Sequence, residues 1–201
     1  MIALPTKPRV MPMRRCFFYC VTLFFLATSA AHAQSDDGFG DALKIEGEHF
    51  NIYYKSHIAL EGLLKQLSVS PADEMLSKQS IDTSSLERTI SSKVEVLFNR
   101  AGDILDMHVY SFQGSIKIFP SMKDMTDYYN TRFHANLPCT GYAFYSPDDK
   151  SIYVSADNFR REVLGHEIGH AIMSGYFVVQ PSMKVQEVLA GYVEYQLRKS
   201  E

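Results

Sequence analysis

Residues 158–174 read NFRREVLGHEIGHAIMS, and the pentad His166-Glu167-Ile168-Gly169-His170 inside them decides how the rest of the chain is read. Asn158 is a suitable cap for a helix running to about Ser174, with Gly175 ending it. At 100° per residue His166 and His170 fall about 40° apart on one face, a single turn from each other. Two imidazoles so placed can share one metal ion, while Glu167, on the flank of that face, is placed to accept a proton from a water rather than to occupy the metal itself. The pattern is HExxH, which carries this chemistry when it lies on a helix.

A catalytic zinc takes three protein ligands and leaves a position open, so a third donor is expected downstream. Glu187 is the candidate: it lies in a helix opened by Pro181-Ser182, after a Gly175–Pro181 turn short enough to make the two helices neighbours. The alternative HExxHxxGxxH pattern fails, because Met173 and Tyr176 stand where it requires Gly and His. Glu194, two turns beyond Glu187 on the same face, is either a residue that orients a zinc histidine, a binder of a substrate amine, or a solvated carboxylate.

Upstream, HFNIYY (residues 49–54) reads as a strand, followed by helical Leu60, Leu63, Leu64 and Leu67. Residues 68–83 break the pattern and read as a surface excursion, with a short helix possible from Ala72 to Lys78. Ser84-Ser85-Leu86-Glu87 has capping-box form and opens a long core helix carrying Leu86, Ile90, Val94, Leu97, Phe98, Ala101, Ile104 and Leu105. A strand ending in Ile116–Phe119 follows, then a helix opened by Pro120 and Ser121 that presents Met122, Met125, Tyr128 and Tyr129. Next comes a hairpin of Tyr142–Tyr145 and Ser151–Ser155 around Ser146-Pro147-Asp148-Asp149-Lys150.

The chain has 201 residues, 46% hydrophobic and 21% charged, with 11 Gly and 8 Pro, the balance of one globular domain. Arg14-Arg15, the apolar run Cys16 to Ala27 and Ser29-Ala30-Ala31-His32-Ala33 have the order of a secretory signal, predicting cleavage after Ala33 and an exported, periplasmic or secreted product without stable membrane insertion. The competing reading is a retained anchor. Four basic and no acidic residues leave with that segment, moving the formal charge from −3 to −7, which disfavours nucleic acid and anionic membranes as partners. Cys16 and Cys20 leave as well, so Cys139 has no internal disulfide partner and is either a buried small residue or a thiol that holds a metal site latent. The predicted organisation is a signal at 1–33, a flexible lead at 34–46 and one domain at 47–201.

HEIGH together with QEVLAGYVEY (residues 186–195) resembles the gluzincin class of HExxH zinc metallopeptidases, which contains thermolysin-like and zinc aminopeptidase families. Within the NEGFAxYxEY segment of the aminopeptidases, Glu187, Ala190, Tyr192, Glu194 and Tyr195 fall on matching positions; Gln186 replaces their Asn, and their GxMEN exopeptidase signature is not present. The resemblance implies that His166, His170 and Glu187 bind one catalytic Zn2+, that Glu167 is the general base, and that the substrate is a peptide or protein. It implies an α+β, zincin-like fold: a twisted mixed sheet, a long backing helix, an HExxH helix and a C-terminal helix carrying the third ligand. In that class a strand before the zinc helix often forms the sheet edge, where an extended peptide can pair; Ser151–Ser155 or Gly141–Tyr145 would serve. Candidate oxyanion donors are Tyr142, Tyr176, Tyr192 and His134, although Tyr192, about 140° from Glu187, fits a core position better. Other functions compatible with these residues are a non-catalytic, zinc-containing peptide-binding domain and a zinc amidase acting on a cell-wall cross-link.

Overall fold

Alternating side chains set the sheet. In the computed structural model, which describes residues 39, 41–77, 79–133 and 142–199, the strands are β1 (Leu43–Ile45), β2 (Phe50–Tyr54), β3 (Gly114–Phe119), β4 (Ala143–Ser146) and β5 (Ser151–Ser155). They form one mixed sheet in the order β1-β2-β3-β5-β4, with β2, β3 and β5 parallel and the two outer strands antiparallel to their neighbours. Register puts Ile52, Ile116, Ile152 and Tyr145 in one row on one face and Tyr53, Lys117, Tyr153 and Phe144 in the adjacent row on the other.

The helices are α1 (Leu60–Gln66), α2 (Pro71–Ser77), α3 (Leu86–Leu105), α4 (Met122–Phe133), α5 (Arg161–Tyr176) and α6 (Met183–Lys199), giving an α+β architecture among the described residues. No described helix is long and apolar enough to cross a membrane. The isoleucine face of the sheet, α3 and α5 share the main core, in which Ile90, Val94, Leu97 and Ala101 of α3 are almost wholly buried, as their spacing predicts. The other face carries an aromatic layer, Phe119, Tyr153, Phe144 and Tyr128, with Met125 of α4 fully buried against it.

Several boundaries differ from the sequence reading. Residues 43–45, within the segment read as a flexible lead, form β1, and Phe39 is buried edge-on against Phe119; a three-residue strand is too short to show a period of two. The α3 cap is Ser85, whose hydroxyl accepts from Arg88 N–H at 3.2 Å, one residue later than the Ser84/Glu87 box. Asn158 does not cap α5: it lies in a short 3-10 turn, and its amide donates instead to Ser155 Oγ at 3.0 Å. Gly175 does not end α5 either, since the helix runs on to Tyr176; a Cβ there would meet Val109 Cγ1 at 2.9 Å, so the glycine serves a close approach. The predicted signal with its cleavage after Ala33, together with His134 and Cys139, lies outside the described residues.

The stretch read as a surface excursion contains a structural centre. Asp73 of α2 is fully buried, 3.0 Å from Arg161 Nη1 at the start of α5 and 3.4 Å from Arg100 Nε of α3, and it also accepts from Ser70 Oγ at 2.8 Å. Removing one member of a buried ion pair strands its partner. Asp73→Ala is therefore expected to destabilise the protein by about 3–5 kcal/mol, read as a lower urea midpoint at unchanged slope; a loss under about 1 kcal/mol would show that the arginines are solvated instead.

Candidate metal centre

α5 and α6 pack closely because α5 presents two glycines to its neighbour. A Cβ on Gly165 would lie 2.1 Å from Leu197 Cδ1, and one on Gly169 would lie 3.3 Å from Ala190 Cα. Ala190, Val193 and Leu197 are fully buried in that seam. This packing turns one flank of α6 toward the HExxH face of α5.

Three donors meet there. His166 Nε2 and His170 Nε2 are 3.3 Å apart, and the Glu187 carboxylate straddles them, Oε2 at 3.5 Å from His166 Nε2 and Oε1 at 3.5 Å from His170 Nε2. Ligands at about 2.0–2.1 Å around a tetrahedral zinc stand about 3.3–3.4 Å from one another, close to the separations found here. Two imidazoles and one carboxylate are also a suitable donor set for it. The sequence-predicted residues His166, His170 and Glu187 are thus brought together, with all three donor atoms within 4.8 Å of one another.

Glu194 completes the arrangement from behind. Its Oε2 lies 3.2 Å from His166 Nδ1, and because a carboxylate only accepts, Nδ1 carries the proton and the Nε2 lone pair faces the other two donors. Of the three readings open to Glu194 in the sequence, the observed contact is the histidine-orienting one; Arg198 in turn bonds to Glu194. Gln186, the position that departs from the aminopeptidase segment, lines the cleft and donates its side-chain amide to the Pro181 carbonyl at 2.8 Å. Burial and the neighbouring His166 hold His170 below its ordinary value, which keeps its ring neutral and able to donate electrons.

Glu167 sits beside the triangle and is almost completely buried. Burial pushes its carboxyl up to about 8, a hydrogen bond from the Tyr145 main chain opposes the rise, and Glu187 and Glu194 add to it. A carboxyl poised near neutrality can both take and return a proton.

The group opens into a cleft of about 900 Å3. One wall is β4 with Tyr142, Phe144 and Tyr145; Arg160 and Arg198 also line it, paired with Glu162 and Glu194. Among the described residues β4 is a sheet edge, whereas Ser151–Ser155, the other strand considered for that role, is paired on both sides. Among the oxyanion candidates within the described residues, Tyr142 lines the cleft, while Tyr176 and Tyr192 are half-exposed and do not line it. Tyr192 is therefore not in the core, where helix geometry alone would have put it. Tyr145, Arg160 and Arg198 escaped the sequence reading because nothing local signals which strand residue or helix-end arginine will meet a cleft.

A second trio, Glu48, His49 and Glu95, also has donor atoms within 4.8 Å of one another. There His49 Nδ1 bonds to Glu95 at 2.7 Å and the His49 main-chain N–H donates to the same carboxylate at 2.9 Å, while the buried His49 Nε2 has no hydrogen-bond partner among the described residues. Compared with known protein families, curated protein sequences and solved structures, the chain has no match.

Proposed function

We propose that this domain is a zinc-dependent metallopeptidase of gluzincin type, with a zincin-like fold. The observation that carries the reading is the convergence of His166, His170 and Glu187 on dimensions suited to zinc, beside a buried carboxyl, in an open cleft. A bound zinc would supply Lewis-acid polarisation of the scissile carbonyl and a lowered pKa for water. His166, held by Glu194 through Nδ1, would keep its Nε2 lone pair aimed at it, one turn from His170. Glu167 takes the proton of the attacking water and returns it to the leaving amine nitrogen. β4 is the outermost strand on its side of the sheet among the described residues and suits an extended peptide, which would add to the sheet by main-chain bonds while its side chains meet Tyr142 and Phe144.

The test is to purify the protein, measure zinc per chain, and incubate it with a mixed peptide library read by mass spectrometry. One zinc per chain with cleavage supports the proposal. Zinc without cleavage favours a peptide-binding domain or an amidase with a non-peptide substrate, and absence of zinc removes the basis of all three. Export is part of the same proposal; an N-terminus at Gln34 in protein recovered outside the cytoplasm would support it.

Glu194 acts through His166 rather than on substrate. Glu194→Gln keeps the size of the side chain but removes its charge, and is expected to weaken zinc binding about 10–100-fold, read by competition with a chromophoric chelator. Unchanged affinity would mean that His166 is oriented by packing alone.

A further inference from the structure

On the sheet face turned away from α5, one row of side chains runs outward to the cleft as a stack. Lys117 of β3, Tyr153 of β5 and Phe144 of β4 are neighbours in that row. Lys117 Nζ lies 5.0 Å from the centre of the Tyr153 ring, and the rings of Tyr153 and Phe144 lie face to face, 4.7 Å apart and 11° from parallel. Adjacent strands of a sheet are also about 4.7–4.9 Å apart, so each strand adds one layer to the stack. Tyr153 is fully buried, whereas Phe144 is partly exposed and lines the cleft beside Tyr129 and Tyr142. Tyr129 and Phe133 stand nearly perpendicular to the Phe144 ring, at 4.9 and 5.8 Å, and fix its tilt.

We propose that the cleft selects extended peptides by one aromatic side chain, the one that a peptide paired with β4 places beside Phe144. This rests on the peptidase reading and adds the chemistry of the substrate to it. Side chains alternate between the two faces of a strand. A peptide residue beside Tyr145 is turned toward α5, on the side of the metal donors, and its neighbour beside Phe144 is turned to the other face. A ring at that second position extends the stack by one layer at the spacing already present. Offset-stacked and edge-on rings attract beyond the area they bury, which sets an aromatic residue above an aliphatic one of similar size. The receiving ring is held by three others before the peptide arrives, so little freedom is lost when the contact forms.

Basic side chains are disfavoured at the same position. Lys117, Arg132 and Arg160 already lie over Tyr153, Phe133 and Tyr142, at 5.0, 5.4 and 6.0 Å. Two carboxylates answer them, Asp149 with Lys117 and Arg132, and Glu162 with Arg160. A substrate lysine or arginine would bring a fourth cation to a layer already rich in them.

The experiment uses an extended Thr- and Ala-based host peptide with blocked ends, carrying Phe, Leu, Lys or Ala at one central position. With zinc-loaded wild type, kcat/KM is expected to favour Phe over Ala by about 10–100-fold and Phe over Leu by about 3–10-fold, with Lys no better than Ala. Phe144→Leu keeps apolar bulk but removes the ring, and should bring the Phe-to-Leu ratio to about one. Tyr142→Ala, at a half-exposed position, should lower that ratio about 3-fold. Each ratio compares two peptides on one protein, so a smaller folded fraction cancels. Fluorescence anisotropy with dye-labelled copies of the same peptides reads the preference without turnover. Phe-selective binding with no cleavage would retire the peptidase reading and uphold this one. Equal treatment of Phe, Leu and Ala in both measurements, a preference for Lys, or a Phe-to-Leu ratio unchanged in every variant that folds would each overturn the proposal.

Discussion

Glu167→Gln is expected to lower peptide hydrolysis by about 10²–10⁴-fold in kcat, the contribution of a general acid–base group, while zinc stays at one per chain. Glutamine keeps the volume and the hydrogen bond from the Tyr145 main chain but cannot carry a proton between water and amine. Turnover retained in the metal-replete variant would remove Glu167 from the mechanism.

The same substitution has a second consequence, in the metal-free protein. The Glu167 carboxyl is raised from an ordinary 4.5 to about 8, so below pH 4.5 it is protonated in both the folded and unfolded chain and its burial is fully tolerated. Between about 4.5 and 8 the unfolded chain releases the proton while the folded chain holds it, and stability falls as pH rises through this window. Above it both states are ionised and no further loss follows. Glutamine does not ionise, so Glu167→Gln removes the decline. In the presence of a chelator the variant should gain a few kcal/mol over wild type at pH 8.5 relative to pH 5, with about 5 kcal/mol as the ceiling set by the full shift. Urea titrations at the two pH values measure this. Parallel pH dependence in the two proteins would show that the carboxyl is solvated rather than buried. Zinc should narrow the difference, because a nearby dication favours the charged carboxylate.

Removal of a metal donor is the other large effect. His166→Ala, His170→Ala and Glu187→Ala each delete one corner of the triangle, and each is expected to cost more zinc affinity than the roughly 10–100-fold assigned to Glu194→Gln. The histidines should cost most, being the more buried donors, with side chains 22% and 11% exposed against 54% for Glu187. In thermal melts the wild type should rise in Tm with added zinc, as binding to the folded state alone requires, and the histidine variants should not. A histidine variant with wild-type affinity would show that zinc, if bound, is held elsewhere. Loss of the wild-type fold is distinguishable, since the metal-free variants should melt close to metal-free wild type.

Much of this arrangement was legible in the chain because its signals are local. The one-turn spacing of His166 and His170, the heptad-like run from Leu86 to Leu105 and the hairpin around Pro147 each depend on a few neighbouring residues, and each has its counterpart in the fold. What misled was local chemistry overruled by contacts from far along the chain. Asn158 is a good cap, but Ser155 takes its amide; Gly175 is a good stop, but its role is the approach of Val109. Residues 68–83 look like surface because Asp73 is charged, and its burial makes sense only once Arg161 and Arg100, 88 and 27 positions later, enclose it.

The sequence by itself determined that two imidazoles occupy one helical face with a carboxyl on its flank, since 3.6 residues per turn leaves no other outcome for HExxH on a helix. It also made Glu187 the natural third donor. Only the tertiary structure decided that Glu187 meets both histidines while Glu194 stands behind His166, that β4 rather than β5 is the outer strand among the described residues, and that Tyr192 faces outward. Each of these depends on how α6 and the hairpin are rotated and seated. That seating is set by the fit of Gly165 and Gly169 against Ala190, Val193 and Leu197, a matter of shape between segments that no periodicity within either one encodes.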